Sequence, residues 1–263
     1  MERLLLLRLQ ACGCTVEARV NDIAVARCAP GQGTVSTPVH EYVVEGDNLL
    51  SLVIEPCAPG ATPAPRLTGE PWAARLTLVL PRIDHVGSED SARTVAELDW
   101  ALPAGEIVQP PLDVTRRVTL PIRFPRWRWL DLPRHAESPA AQTAAATFVQ
   151  GLAIALARAD ADTWLRATRL RLEDLSVAYR LDPAAMAERW RARLRLLQAT
   201  GALQVRLPAI ADIRLRSCAG GRLLDCVDAA GDPVLRTAPD ADGTVRLWPV
   251  RVAVIDGQCH VLR

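Results

Sequence analysis

Lysine is missing from this chain, and all 31 basic residues are Arg. That excludes chemistry built on a primary amine: a Schiff-base lysine, a P-loop lysine or a lysine general base. Histidine is scarce, with His40, His85, His135 and His260 only. The seven cysteines are odd in number and never form C-x-x-C, so metal-ligand spacing is absent. They read as buried reduced thiols acting as small hydrophobes. No metal and no cofactor is expected. Neither G-x-S-x-G nor a strand-to-helix G-x-G-x-x-G occurs. Gly31-Gln32-Gly33 is followed by strand-like sequence, whereas a phosphate cradle needs a following helix. Long apolar runs are also lacking. Leu4–Leu7 is only four residues long before Arg8 interrupts it, against about 7–15 for a secretory core. No stretch approaches the roughly 20 residues of a membrane span. A cytoplasmic location and no membrane span are therefore the expectation. Thirty acids against 31 bases leave a net charge of +1, so no global field is available to draw in nucleic acid.

What is present supports a folded core. Hydrophobic residues make up 49% of 263 positions, enough chain for two domains. The Arg-only basic set, with abundant Ala and Pro, points to a bacterial source with GC-rich coding.

The first half alternates like strands. Leu5–Gln10 and Thr15–Val20 are followed by a two-residue turn, Asn21-Asp22, into Ile23–Ala26. The Tyr42 segment and Leu49–Ile54 are joined at Gly46-Asp47-Asn48, and further strands fall at 74–80, 94–102 and 114–124. Turn signals every ten or so residues predict a sandwich. Pro125–Glu137 shifts in composition and reads as the end of that sandwich plus a linker. Ser138-Pro139 then opens a helix, with Ser capping and Pro at the first helical position. Asp162 is the expected cap of a second helix running through Trp164 to Tyr179. Asp182-Pro183 opens a third, which Gly201 ends. Beyond it the period changes to two, through hairpins around Ala219–Gly221 and Asp256-Gly257. Helices followed by an antiparallel meander predict α+β. The fold expectation is thus two domains: an all-β sandwich over residues 1–134, and an α+β domain over 135–263 with about three helices and then a curved antiparallel sheet.

Two resemblances accompany this reading. The segment VHEYVVEGDNLLSLVIEP, with Gly46, Asn48 and Leu50 at its corner, resembles the galactose-binding-type jelly-roll sandwiches. The likeness covers about residues 4–125. The ending VRVAVIDGQCHVLR resembles the last hairpin of the nuclear-transport-factor-type (NTF2-like, cystatin-like cone) fold, over about 138–263. Both families share a fold more than an activity, and many members serve as recognition scaffolds.

Three groups of residues are candidates for function. Arg126-Trp127-Arg128-Trp129 interleaves cations and aromatics. On a strand, Trp127 and Trp129 would share one face and the arginines the other. A partner- or interdomain-facing strand is preferred over nucleic-acid binding, because residues 1–135 carry fourteen Arg against sixteen acids. The arginines of the third helix, Arg189 and Arg193 among them, are the second group, suited to an acidic protein surface. A pocket in the second domain is the third, lined by Trp164, Tyr179, Trp190, Trp248 and His260. A cone-type acid–base set would comprise Asp160, Asp162, Asp225 and His260, though Asp162 is better explained as a cap and His260 as a half-buried strand residue.

These observations favour non-catalytic binding of another protein, such as an immunity or accessory protein of a toxin or secretion system. The alternative is a small-molecule enzyme or ligand carrier using the second-domain pocket. A third possibility is carbohydrate binding by the sandwich, for which Trp72 and Trp100 are the available aromatics.

Overall fold

The computed structural model describes residues 4–57, 62, 64–81, 92–134, 138–240 and 242–263, so His85 and His135 lie outside the described residues. The chain divides into two compact units between Arg126 and Trp127. The first is an all-β sandwich and the second is α+β, the class the alternation of periods predicts.

Among the described residues, ten strands build the first unit: β1 (Leu6–Cys12), β2 (Val16–Val20), β3 (Ile23–Cys28), β4 (Val35–Pro38), β5 (Gly46–Ile54), β6 (Arg66–Leu67), β7 (Trp72–Leu80), β8 (Arg93–Leu102), β9 (Ile107–Val108) and β10 (Leu112–Leu120). Two four-stranded sheets have orders β4-β1-β7-β8 and β10-β5-β2-β3, and β6 pairs with β9. The pairs are antiparallel, and the period-2 pattern sets their register. Leu7 lies opposite Leu78 and Leu9 opposite Leu76 in one sheet, while Ala18 opposes Leu52 and Val20 opposes Leu50 in the other. All of these side chains are fully buried. A one-residue slip in either sheet would turn the whole set to solvent.

The Asn21-Asp22 turn matches the sequence, whereas Gly46–Asn48 already belongs to β5 and the Tyr42 segment expected as its partner strand is a 3-10 turn, His40–Tyr42. Asn21 and Asp22 both take positive φ (53° and 66°), the geometry of the tightest hairpin turn, joining β2 to β3. Asn21 also reaches the next corner. Its amide donates to the Tyr42 carbonyl (2.8 Å) and to Asn48 Oδ1 (2.9 Å), and its Oδ1 accepts from the Leu49 amide (2.9 Å). Asn48 in turn accepts from the Val44 amide and donates to the carbonyls of Val44 and Gly46. Two side chains thus satisfy the backbone of two turns. Gly13 (φ +70°) is required for space as well as conformation, since a Cβ there would meet Pro71 O and Trp72 Cδ1 at 2.6 Å.

The second unit has α1 (Pro139–Ala157), α2 (Ala161–Ala167), α3 (Arg169–Tyr179) and α4 (Pro183–Ala199), then β11 (Arg214–Cys218), β12 (Leu223–Val227), β13 (Arg251–Ile255) and β14 (Gln258–Val261) in one antiparallel sheet of that order. Ser138 caps α1 by accepting from the Ala141 amide, and Asp182 caps α4 by accepting from Ala184 and Ala185. Two details correct the sequence reading. The second helix is two helices, broken at Thr168. Its cap is Asp160, which accepts from the Thr163 amide at 3.0 Å, and not Asp162. Between β12 and β13, residues 233–237 and 244–250 carry only isolated bridges.

By length and composition α1 could cross a membrane. Its apolar stripe has another use, because Ala145, Val149, Leu152 and Leu156 pack with Leu224, Cys226 and Val252 of the sheet, with Trp164 and with Leu194 in one core. All seven cysteines are free thiols. Burial, then the nearby Glu55, pushes the Cys14 thiol up to about 11, and complete burial raises Cys226 well above the ordinary thiol value.

Candidate functional site

A groove of about 460 Å³ opens on the second unit between α2, α3, α4 and the Leu247–Pro249 segment. Trp164 and Trp190 form its aromatic wall, stacked with ring centroids 5.3 Å apart and planes 20° from parallel. Trp248 joins them. The leucines that complete the lining include Leu172 and Leu175 of α3, and two large apolar side chains stay open at the rim: Leu181 (39% exposed) and Leu247 (48%). The Trp190 and Trp248 indole N–H groups are buried without a hydrogen-bond partner.

Cations surround this surface. Arg171, Arg189 and Arg193 line the groove, and no Asp, Glu or His does so among the described residues. Arg171 donates to the Pro249 carbonyl at 3.4 Å. Arg193 lies 5.9 Å from the Trp190 ring centroid. No ion pair with a described residue engages Arg189 or Arg193. Their helix neighbour Arg191 is different: it bridges Asp162 (2.9 Å) and Glu188 (2.7 Å).

The groove therefore brings together three of the five predicted pocket residues, Trp164, Trp190 and Trp248, with the two helix arginines predicted for partner binding. Tyr179, at the end of α3, and His260, on β14, do not line it. Burial, then Arg169, lowers the His260 pKa and favours the neutral ring. None of the four acid–base candidates lines this groove. Asp160 is an exposed cap whose carboxyl is held down by the Thr163 hydroxyl and amide. Asp162 is exposed beside Arg191, and Asp225 is 3% exposed between Arg216 (2.6 Å) and Arg251 (3.0 Å).

The Trp127 segment departs from the expected strand. Trp127 precedes a 3-10 turn, Arg128–Asp131. Trp127 and Trp129 are 2% and 3% exposed, and Arg126 is exposed. Arg263 lies over Trp127 at 5.8 Å and pairs with Asp174 at 2.8 Å. Arg128 bridges Glu173 (2.6 Å) and Asp174 (3.4 Å). In the first unit Trp72 is buried. Trp100 shares by register the inward face of Leu98 and Leu76, while Arg75 and Asp99 pair on the opposite face. Trp100 nevertheless lines one surface depression together with Gln10, Arg75 and Asp99.

Sequence reasoning missed Arg171, Leu172, Leu175, Leu181, Met186 and Leu247. They come from several separate elements and carry no common motif. Compared with known proteins, the chain matches no family model, no curated sequence and no solved structure.

Proposed function

We propose that this chain is a non-catalytic binding protein whose target is another protein, taken in the groove of the second unit. The observation that carries this reading is the groove's composition: stacked tryptophans and exposed leucines, ringed by arginines, with no carboxylate or imidazole facing in. Tryptophan and arginine are the residue types that dominate binding energy at protein interfaces. Acid–base chemistry needs a titratable group within reach of the ligand, and the lining offers none among the described residues. The two resembled folds, jelly-roll and cone, are scaffolds that fit such a role, and an accessory or immunity protein of a bacterial system remains the biological setting we favour.

A ligand carrier is the second reading, supported by a groove volume inside the range of about 300–1,000 Å³ typical of small-molecule pockets.

The test is purification of the tagged chain from its own cells beside a Leu247→Asp variant, which changes an exposed rim residue. The expected result is a stoichiometric protein partner with the parent and its loss with the variant. A partner retained equally by both, or a small molecule extracted in its place, would overturn the reading.

A further inference from the structure

Resting on the proposed function, we infer that the groove receives an acidic amphipathic helix of the partner, its apolar stripe over Trp190 and its carboxylates on Arg189 and Arg193. Four observations lead there. Charge comes first. Arg189 and Arg193 are exposed, lack an ion-pair partner among the described residues, and flank Trp190 on α4. With no acid in the lining among the described residues, the fields of Arg189 and Arg193 add at the groove, which disfavours a basic partner and favours a carboxylate-bearing one.

The second observation is the direction of the surface. Arg189, Arg193 and Leu196 are spaced i, i+4, i+7, so they lie along one line of α4. Leu196 is 63% exposed, apolar surface that an external ligand would cover. At 1.5 Å per residue this line runs about 10 Å, or two turns of a partner helix lying alongside. Leu181 and Leu247 supply further apolar contact at the groove rim.

The third is backbone accounting. An extended segment needs hydrogen-bond partners for its own amides and carbonyls. The groove is bounded chiefly by α2, α3 and α4, whose backbone bonds are internal, and the Trp248 amide already donates to the Leu235 carbonyl at 2.9 Å. A helix satisfies its own backbone and needs only side-chain complementarity.

The fourth separates a protein from a nucleic-acid strand. A stacking platform needs open aromatic faces. Here Trp164 is buried and already stacked on Trp190, and half of the remaining lining is leucine or methionine: Leu165, Leu172, Leu175, Leu181, Met186 and Leu247.

The experiment is selection of displayed helical peptides on the immobilised full chain, from a library of amphipathic helices varied at both apolar and flanking positions. An Arg189→Gln/Arg193→Gln double variant runs in parallel. Both residues are exposed, and an unchanged thermal melt confirms that the variant folds. The expected outcome is enrichment of Glu- and Asp-flanked helices with Leu, Trp or Phe on the stripe. Synthetic winners should bind about tenfold more tightly than twins with every carboxylate made an amide, and the difference should vanish in the double variant. Winners that are neutral or basic, or acidic winners indifferent to the double variant, overturn the acidic helix. If such winners still lose binding to Leu247→Asp, the groove remains a protein site and only its charge preference falls. A single-stranded DNA oligonucleotide that binds the parent more tightly than the peptides, and loses that binding in the double variant, overturns the helix as well.

Discussion

Arg263 lies 5.8 Å from the Trp127 ring and Arg193 lies 5.9 Å from that of Trp190. The two contacts share their chemistry and nearly share their distance, but their surroundings differ. Arg263 is 1% exposed, bridges Asp174 at 2.8 Å and reaches the Leu262 carbonyl at 2.7 Å. Only one of its three guanidinium nitrogens is satisfied, because Nε and one terminal nitrogen find no hydrogen-bond partner among the described residues. Arg193 is exposed, has no carboxylate, and stands over a ring that lines an open groove. One contact is closed and structural. The other is available. An Arg–Trp pair read from sequence carries neither meaning until its charge balance and exposure are known.

The comparison can be broken most strongly at Asp174. Removing its charge by Asp174→Asn leaves a buried guanidinium without its counter-ion, and the expected loss is about 3–5 kcal/mol of stability in denaturant titration. A loss below about 1 kcal/mol would show that Arg263 is not the closed member of the pair.

Glu173 sharpens the same side through pH. Burial acts to raise its carboxyl, but hydrogen bonds from Arg128 (2.6 Å) and Arg169 (2.5 Å) outweigh it, and the net direction is down. A depressed carboxylate contributes stability above its unfolded pKa and loses it as pH falls through the folded value. Parent and Glu173→Gln should therefore differ in stability at neutral pH and converge as the pH is lowered toward about 3. A difference independent of pH would remove the ion pair as its cause.

The smallest effect belongs to the open member. Arg193→Gln should change stability by no more than about 0.5 kcal/mol, as for most surface substitutions. A larger loss would mean that Arg193 holds the groove together and is not held ready for a ligand.

The parts of the molecule legible in the sequence are those decided locally. Asn21-Asp22 announces its turn because only a few residue types accept those backbone angles, and Asn48 closes the corner that leads into β5 with its own side chain. Ser138-Pro139 and Asp182-Pro183 announce helix starts for the same reason. The misreadings arise where a distant residue decides. Asp160 and Asp162 are both plausible caps, and Arg191, 29 positions on, takes Asp162 away. The alternation of Arg and Trp at 126–129 looks like a strand, but Glu173, Asp174 and Arg263 hold that segment in a turn. For the site, Trp164, Trp190, Trp248, Arg189 and Arg193 could be named as candidates from residue type. That they meet at one groove depends on the packing of three helices, which no short spacing encodes.

The free thiols give each unit a clock. A thiol reacts as thiolate, so Cys14 between β1 and β2 and Cys226 inside β12, both buried and both raised, should label slowly with alkylating reagents while the neighbouring strands stay paired. Their labelling is therefore gated by opening. Its rate at Cys14 times the loosening of the sandwich, and at Cys226 that of the second unit's sheet.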